Sequence, residues 1–353
     1  MSNVVCIIAD THFGSRSDNP FVQKYFNTFY QEVFLPAIDQ YNVDHVIHCG
    51  DLVDRRKFIN FSTAMNLYDN FTGPLNDRNV AVDIIAGNHD VSHKNSNKIN
   101  ALSVLNLPSN CEYYLDPTQV TIMGTELLFL PWINTENYNQ SLEMIRQSNA
   151  KYVFGHLQLA GFEMHRGHVA DEGLSTNIFS KYSHVFTGHY HHRSTIGNIT
   201  YVGAPYEMMW TDYNDDRGFT LLDLDSGKSK FFKNPNSLFH RIIYNEQKIN
   251  IKDIDYTKYK NSYVKVVIED KQKQHLFEAF IDKLERVDPI DIQVVDQTIL
   301  AETNMVDIDI DQVEDTLSIL TKYLDTVTMQ TDKQLVKKTL IGLYSEACQI
   351  DKE

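Results

Sequence analysis

Val4-Val5-Cys6-Ile7-Ile8-Ala9 runs directly into Asp10-Thr11-His12. A continuous apolar run of this length is the pattern of a strand buried on both faces. It ends in two side chains of the kind that bind metals. The figure returns four times along the chain. His45-Val46-Ile47-His48-Cys49 leads to Gly50-Asp51, and Ala81-Val82-Asp83-Ile84-Ile85-Ala86 leads to Gly87-Asn88-His89-Asp90. Tyr152-Val153-Phe154 leads to Gly155-His156, and His184-Val185-Phe186-Thr187 to Gly188-His189. Short apolar strands with helical stretches between them predict an α/β fold with largely buried sheets. In such folds ligands gather at the carboxyl ends of the strands. One sheet edge would then collect Asp10, His12, Asp51, Asn88, His156, His189 and His191.

Asp-x-His or Gly-His alone is a weak signal, and a lone histidine is more often structural than a ligand. The full set in this order is not a chance pattern. Imidazole nitrogens, carboxylates and an amide oxygen, with no thiolate, suit two open-coordinated divalent ions such as Mn²⁺, Fe²⁺ or Zn²⁺. Asp51, ending a central strand, is placed to bridge two cations. Two such ions can share a hydroxide and clamp a phosphate for in-line attack. Glycines before Asp51, Asn88, His156 and His189 are expected to give sharp turns where side chains converge. His89, next to Asn88, should face the phosphate and either stabilise its oxygens or protonate the leaving alkoxide. A catalytic histidine needs an orienting partner. Asp54 is the first candidate and Asp90 the rival, although Asp90 could simply cap its turn. His192 reads as a surface residue. His165, Arg166 and His168 lie in a loop after His156 that suits substrate contact or plain solvation, and Trp132 reads as packing.

Composition sets the outer bounds. With 42% hydrophobic and 22% charged residues, the chain has the make-up of a soluble globular protein. No apolar run reaches the roughly 20 residues of a membrane-spanning helix, and the opening residues carry no basic, cleavable leader. The four cysteines form no CxxC pair, and Cys6 and Cys49 stand inside apolar runs. That usage favours a reducing cytoplasm. A net charge of −15 argues against a protein that coats nucleic acid. Bound divalent ions would put positive charge where a phosphate must sit, and the formal sum omits them.

Phe21, Val22, Tyr25, Phe26, Phe29, Tyr30, Val33 and Phe34 recur at helical spacing and predict a core-facing helix, with a dimer contact as the lesser reading. Beyond residue 240 the character changes. Tyr263 to Glu269 alternates like a strand, Leu276, Phe277, Phe280, Ile281 and Leu284 mark a helix, and Ile290 to Val294 reads as a second strand. From Asp288 to Asp315 there are nine acidic residues and no Lys or Arg, the pattern of a solvated linker. Val313, Leu317, Leu320, Leu324 and Val327, then Val336, Leu340, Leu343 and Ala347, mark two amphipathic helices with too little chain for a core of their own. The expected division is a domain over 1–240, a small one over 241–300, and a linker with partner-binding helices over 301–353.

The motifs Asp10-Thr11-His12-Phe13-Gly14, Gly50-Asp51-Leu52-Val53-Asp54-Arg55, Gly87-Asn88-His89-Asp90 and Gly188-His189-Tyr190-His191 resemble those of the calcineurin-like metallophosphoesterase superfamily. Tyr201-Val202-Gly203-Ala204-Pro205 and Asp216-Arg217-Gly218-Phe219 bring the likeness nearest to its double-strand-break-repair branch, the SbcD-type nucleases and their counterparts in T4-like phages. The likeness is strong over residues 1–240 and loose beyond. It implies a two-sheet sandwich flanked by helices, a small capping domain, and C-terminal helices that bind an SbcC-like SMC-type ATPase. It implies one metal held by Asp10, His12, Asp51 and His191 and another by Asp51, Asn88, His156 and His189, with His89 on the phosphate side. Some members carry a histidine where this chain has Asp54, so the partner of His89 stays open. It further implies two Mn²⁺ ions (Mg²⁺ or another divalent metal serving in their place), a homodimer, and DNA as substrate for exonuclease and endonuclease action in recombination and repair. A phosphatase or cyclic-nucleotide phosphodiesterase could use the same scaffold but would not need the chain beyond residue 258. A non-catalytic module is disfavoured by the complete ligand set.

Overall fold

The computed structural model describes residues 3–165 and 167–296, with four isolated positions beyond, Leu324, Lys333, Val336 and Thr339. The acidic linker past Asp296 and the two amphipathic helices expected after it lie outside the described residues. The chain divides into two compact units. One is Met1–Met208 with Asn214–Leu238, and the other is Met209–Tyr213 with the chain from Phe239 onward.

The first unit is a sandwich of two six-stranded sheets. Across the first sheet the strands run Ser229–Lys233, Gly218–Asp223, Val4–Ile8, His45–His48, Ala81–Ile85 and Cys111–Tyr114. The last four are mutually parallel, and the first two close the edge antiparallel. The second sheet runs Ser194–Ile196, Ile199–Tyr201, His184–Gly188, Tyr152–His156, Thr125–Leu130 and Thr118–Ile122. Its middle four are parallel and its two outer strands antiparallel. This is the α/β sandwich flanked by helices that the strand pattern and the motif resemblance predict.

The apolar runs are continuous because each central strand is covered twice. Val5, Ile7, Ile47, Ile85 and Leu222 of one sheet pack against Leu127, Phe129, Tyr152, Phe154 and Phe186 of the other, all essentially solvent-free. Cys6 and Ile8 point the opposite way and are equally buried. On the outer face of the second sheet, Leu128, Leu130, Val153 and Val185 meet Ile145 of the helix Tyr138–Gln147.

Parallel strands need crossover connections, and the first two are helices with an unusual feature in common. Pro20–Phe29 begins with Pro20 in its first turn, and the Asn19 side chain caps it by accepting from the N–H groups of Phe21 (3.0 Å) and Val22 (3.3 Å). It widens into a π turn at Tyr30–Phe34 and resumes as Leu35–Gln40. The next crossover does the same: Phe61–Leu67, a π turn at Tyr68–Thr72, then Gly73–Asp77. Each π turn immediately precedes a segment with a proline, Pro36 or Pro74, in its first turn. A proline inside a helix lacks one N–H, and its ring collides with the carbonyl four residues back. A wider turn relieves both problems. The buried face is Val22, Phe26, Phe29, Tyr30 and Phe34, while Phe21 faces out. The core-facing reading of this helix therefore holds for most of its aromatic stripe. Tyr30 and Phe34 each stand 5.7 Å from Phe71 on the second crossover.

In the second unit, Phe239–Asn245, Tyr263–Asp270 and Asp291–Asp296 form a parallel sheet covered by the helix Gln274–Glu285. Tyr244, Val264, Val266, Ile268, Phe280 and Leu284 make its core. The strand Phe239–Asn245 straddles the boundary expected at residue 240 and belongs whole to this unit. Its polar His240 and Arg241 hide it from an apolar-run reading.

Phe154 tests the sandwich core. Truncation to alanine should cost about 3–5 kcal/mol, as for other fully buried phenylalanines, seen as a lower urea midpoint with the slope unchanged. A near-neutral substitution would mean that the two sheets do not depend on this contact.

Candidate metal centre

The parallel strands of each sheet present their carboxyl ends at one edge, and five of them carry the candidate donors there. Val4–Ile8 is followed by Asp10 and His12, His45–His48 by Asp51, and Ala81–Ile85 by Asn88 and His89. From the other sheet, Tyr152–His156 ends on His156, and His184–Gly188 is followed by His189 and His191. The backbone turns hard at these points. Asp10 (φ 53°), His12 (φ 43°), Asp51 (φ 56°) and His189 (φ 96°) are all left-handed. Such conformations cost of order 1–3 kcal/mol each and cluster where function over-determines geometry.

Asp51 is the hub. One carboxylate oxygen lies 3.3 Å from His156 Nε2 and 3.6 Å from His12 Nε2. The other accepts the His89 backbone N–H at 2.7 Å. Two donor groups open on either side. Asp10, His12 and His191 have ligating atoms within 4.8 Å of one another, and so do Asp51, His156 and His189. His12 Nε2 and His191 Nε2 face each other at 3.2 Å. Asn88 Oδ1 faces His189 Nδ1 at 2.7 Å and His156 Nε2 at 3.0 Å. A third such group, His12, Asp51 and His89, links the two.

The surroundings hold these side chains still. Asp10 accepts the His189 backbone N–H at 3.0 Å, and His156 Nδ1 meets the Cys49 carbonyl at 2.9 Å. Gly87 is required by space: a Cβ there would lie 2.2 Å from the Asp51 backbone nitrogen. Gly50 is required twice over, by its φ of +92° and because a Cβ would meet His156 Nδ1 at 2.3 Å. Gly87 and Gly188 thus serve close approach and not the turns expected of them, since neither has a positive φ.

Charge balance follows from burial. Asp10 and Asp51 are 0% and 2% exposed. Burial pushes Asp10 up to about 6. Burial also works against the Asp51 carboxylate, but His156 and His12 overcome it and hold the group well below the usual range. The histidines divide. Burial pulls His12 down, yet the Asp54 and Asp51 carboxylates outweigh it and raise it to about 9. His156 reaches about 9 against burial through Asp51. Burial and the charge on His156 take His189 to about 3, and burial and His12 take His191 well below the ordinary value. In the metal-free chain two protonated imidazoles therefore stand where cations could. Oxygen and nitrogen donors alone, in two groups joined through His12 and Asp51, fit a pair of divalent ions of the Mn²⁺, Fe²⁺ or Zn²⁺ type.

Several expectations need correcting. The Asp54 carboxylate does not orient His89. It lies 3.3 Å from His12 Nδ1, while His89 Nδ1 bonds the Asp54 backbone carbonyl at 2.6 Å. A carbonyl fixes the ring as well as a carboxylate can, and the carboxylate is left to support His12 as a carboxylate behind a ligating imidazole would. Asp90 takes the capping role, accepting from Gly87 N (2.8 Å) and Val53 N (3.0 Å). His192 joins none of the metal-type donor groups, as expected, but is half-buried and paired where a free surface side chain was expected. Its Nδ1 bonds Asp215 at 2.8 Å, and Asp215 also pairs with Arg217, whose guanidinium donates to the His191 carbonyl. His168 is in an exposed hairpin, Glu163–His165 with His168–Val169. Arg166 and the His165 side chain lie outside the described residues. Trp132, read as packing, stands 5.2 Å from His189 and 6.2 Å from His156 between ring centres.

Residues 4–193 match the family of calcineurin-like phosphoesterases. Over 242 residues the chain is 33% identical to Exonuclease subunit 1 of Enterobacteria phage T4, covering 68% of this chain and 69% of that one. Among solved structures, the chain of a study titled as the structural and functional characterization of a novel archaeal phosphodiesterase aligns with 65% of this chain and 99% of its own. At 16% identity and a TM-score of 0.33 that superposition is too loose to inform the fold.

Filling the site with Mn²⁺ should displace protons from His12 and His156, because both are protonated near neutrality when metal-free. Apparent affinity should then rise with pH until about 9 and level off. Calorimetry in two buffers of different ionisation enthalpy reads the released protons directly. A buffer-independent heat would show that these histidines are not where the metal binds.

Proposed function

The chain belongs to the calcineurin-like phosphoesterase family, and from that premise we propose that it is a metal-dependent DNA nuclease cutting phosphodiester bonds at DNA ends, by exonuclease and endonuclease action, in recombination and repair. The observation that carries this reading is one buried carboxylate, Asp51, standing between two groups of metal-type donors, with His12 of one and His156 of the other within 3.6 Å and His89 beside it. Asp10, His12, Asp51 and His191 would hold one cation, and Asp51, Asn88, His156 and His189 the other. Mn²⁺ is the proposed ion, with Mg²⁺ or another divalent metal able to replace it. Two cations held there would supply Lewis acidity toward the phosphoryl oxygens and would lower the pKa of an attacking water.

The chain's own residues do the rest. Asp51 keeps the two donor groups in register. Asp54 supports His12 through its carboxylate and fixes the His89 ring through its carbonyl. That leaves His89 Nε2 for the phosphate or the leaving oxygen. Burial and then His12 lower the His89 pKa, and a phosphodiester anion beside the ring would favour its protonated form. Arg55, Arg56 and Lys57 follow directly and give an otherwise acidic chain a basic stretch beside the site, suited to a nucleic-acid backbone.

Two partners complete the reading. Phe58, Phe61, Ile99 and Val104 are between 58% and 91% exposed and line one cleft. The same cleft is lined by Arg55, Arg56 and Lys57; its exposed apolar side chains want a cover, and a second copy of this chain, forming a homodimer, is proposed to supply it. The curated relative is by name a subunit, and the apolar stripes expected beyond residue 311 are proposed to dock an SbcC-like SMC-type ATPase. With no described helix long and apolar enough to cross a membrane, a cytoplasmic place of action is proposed.

His89→Ala should retain both Mn²⁺ ions and lose about 10²–10⁴-fold in DNA cleavage, the usual share of a proton-transferring side chain. Asp51→Asn should lose metal and cleavage together. Metal analysis beside a nuclease assay separates the two, and loss of Mn²⁺ from His89→Ala would make His89 a ligand instead.

A chain ending near residue 305 should cut linear DNA with Mn²⁺ and sediment as a dimer, but no longer co-purify with the ATPase. Undiminished ATPase binding by that chain would rule out the docking role of the C-terminal stripes.

A further inference from the structure

Trp132 is held more firmly than packing requires. Its backbone N–H donates to the Ala86 carbonyl at 2.8 Å. Its carbonyl accepts from the side chains of Asn97 (3.1 Å) and Asn137 (3.0 Å). Its indole N–H donates to the Lys94 carbonyl at 2.9 Å. Every polar group of the residue is thus committed, and the ring cannot turn without breaking a bond. The ring is nonetheless only half-buried. One side packs on His189 of the candidate metal centre. The residue also lines a cleft of about 330 Å³, shared with Tyr138, Gln158, Glu172 and Leu174. Tyr138 is 44% exposed there.

A flat aromatic face that is rigid before any ligand arrives loses little entropy on stacking. Nucleobases all offer a π-face, and base–aromatic stacking tolerates any sequence. Tyr138 adds a second aromatic wall, and the Gln158 amide offers one donor type and one acceptor to a base edge. Resting on the nuclease reading above, we propose that Trp132 is the stacking platform for the nucleobase next to the scissile phosphate, and that the Trp132–Tyr138 cleft is the base subsite of the active centre. Trp132 then positions the substrate by its base while the donors around Asp51 act on its phosphate. The subsite takes purines and pyrimidines alike and excludes a sugar phosphate that carries no base.

The chain has two tryptophans. Trp210 is buried in the other compact unit, so the full chain with Trp210→Phe has Trp132 as its only indole emitter. Titration with deoxynucleoside 5′-monophosphates should quench that emission to saturation, whereas deoxyribose 5-phosphate should leave it unchanged. Equal responses to both probes, or none to either, would overturn the subsite. In cleavage of a single-stranded oligonucleotide with Mn²⁺, Trp132→Ala should raise KM about 5- to 150-fold, the range that stacking on one base spans. Trp132→Phe, which keeps an aromatic face, should recover most of it. On an oligonucleotide of abasic residues the wild type and Trp132→Ala should have the same KM. A fall in kcat on both substrates alike, with KM unmoved, would mean that Trp132 only packs His189, and the proposal would fail. If the wild type cut neither substrate, the nuclease reading would fall, and the fluorescence titration would still decide whether bases stack on Trp132.

Discussion

A carboxylate removed from water has to be matched by positive charge or donors, and the strand ends are arranged around meeting that need for Asp51. It is 2% exposed, so the loss of hydration is nearly complete. His12 and His156 approach it from opposite sheets, and a backbone N–H from the His89 turn completes it. The position has consequences outward. Gly87 can have no side chain because Asp51 occupies the space. Asp51 itself, like Asp10 and His12, accepts a left-handed backbone. Asp90 ties the Gly87 and Val53 N–H groups together behind it. Strain, glycine placement and capping at this edge all serve the convergence of side chains on one anion.

Much of this was legible in the sequence because the donors follow their strands within a few residues. An apolar run stops, the chain emerges at the sheet edge, and the next polar side chain must lie there. Five repetitions made the edge identifiable, and the continuous apolar character of the runs announced strands covered on both faces. Asp10, His12, Asp51, Asn88, His156, His189 and His191 do come together in the structure.

What was illegible depended on relations that no local pattern carries. Which group of Asp54 meets His89 is a matter of backbone direction in a turn, and a carbonyl leaves no mark in residue identity. Trp132 belongs to a different strand connection from either histidine it touches, and only the pairing of strands brings it there. His192 looked external because its partners, Asp215 and Glu163, are more than twenty residues away in sequence. The strand Phe239–Asn245 was missed because its polar residues interrupt the apolar alternation. The π turns leave a trace only in hindsight, as prolines inside helical periodicity.

The donors are split between the sheets. Asp10, His12, Asp51, Asn88 and His89 come from strands of one, and His156, His189 and His191 from strands of the other. The first sheet by itself gathers only His12, Asp51 and His89, and every donor group that contains His156, His189 or His191 draws on both layers. The centre therefore works as a coincidence detector for its own folding. The complete set is thus a property of the closed sandwich, present only once the two layers have met on their common core.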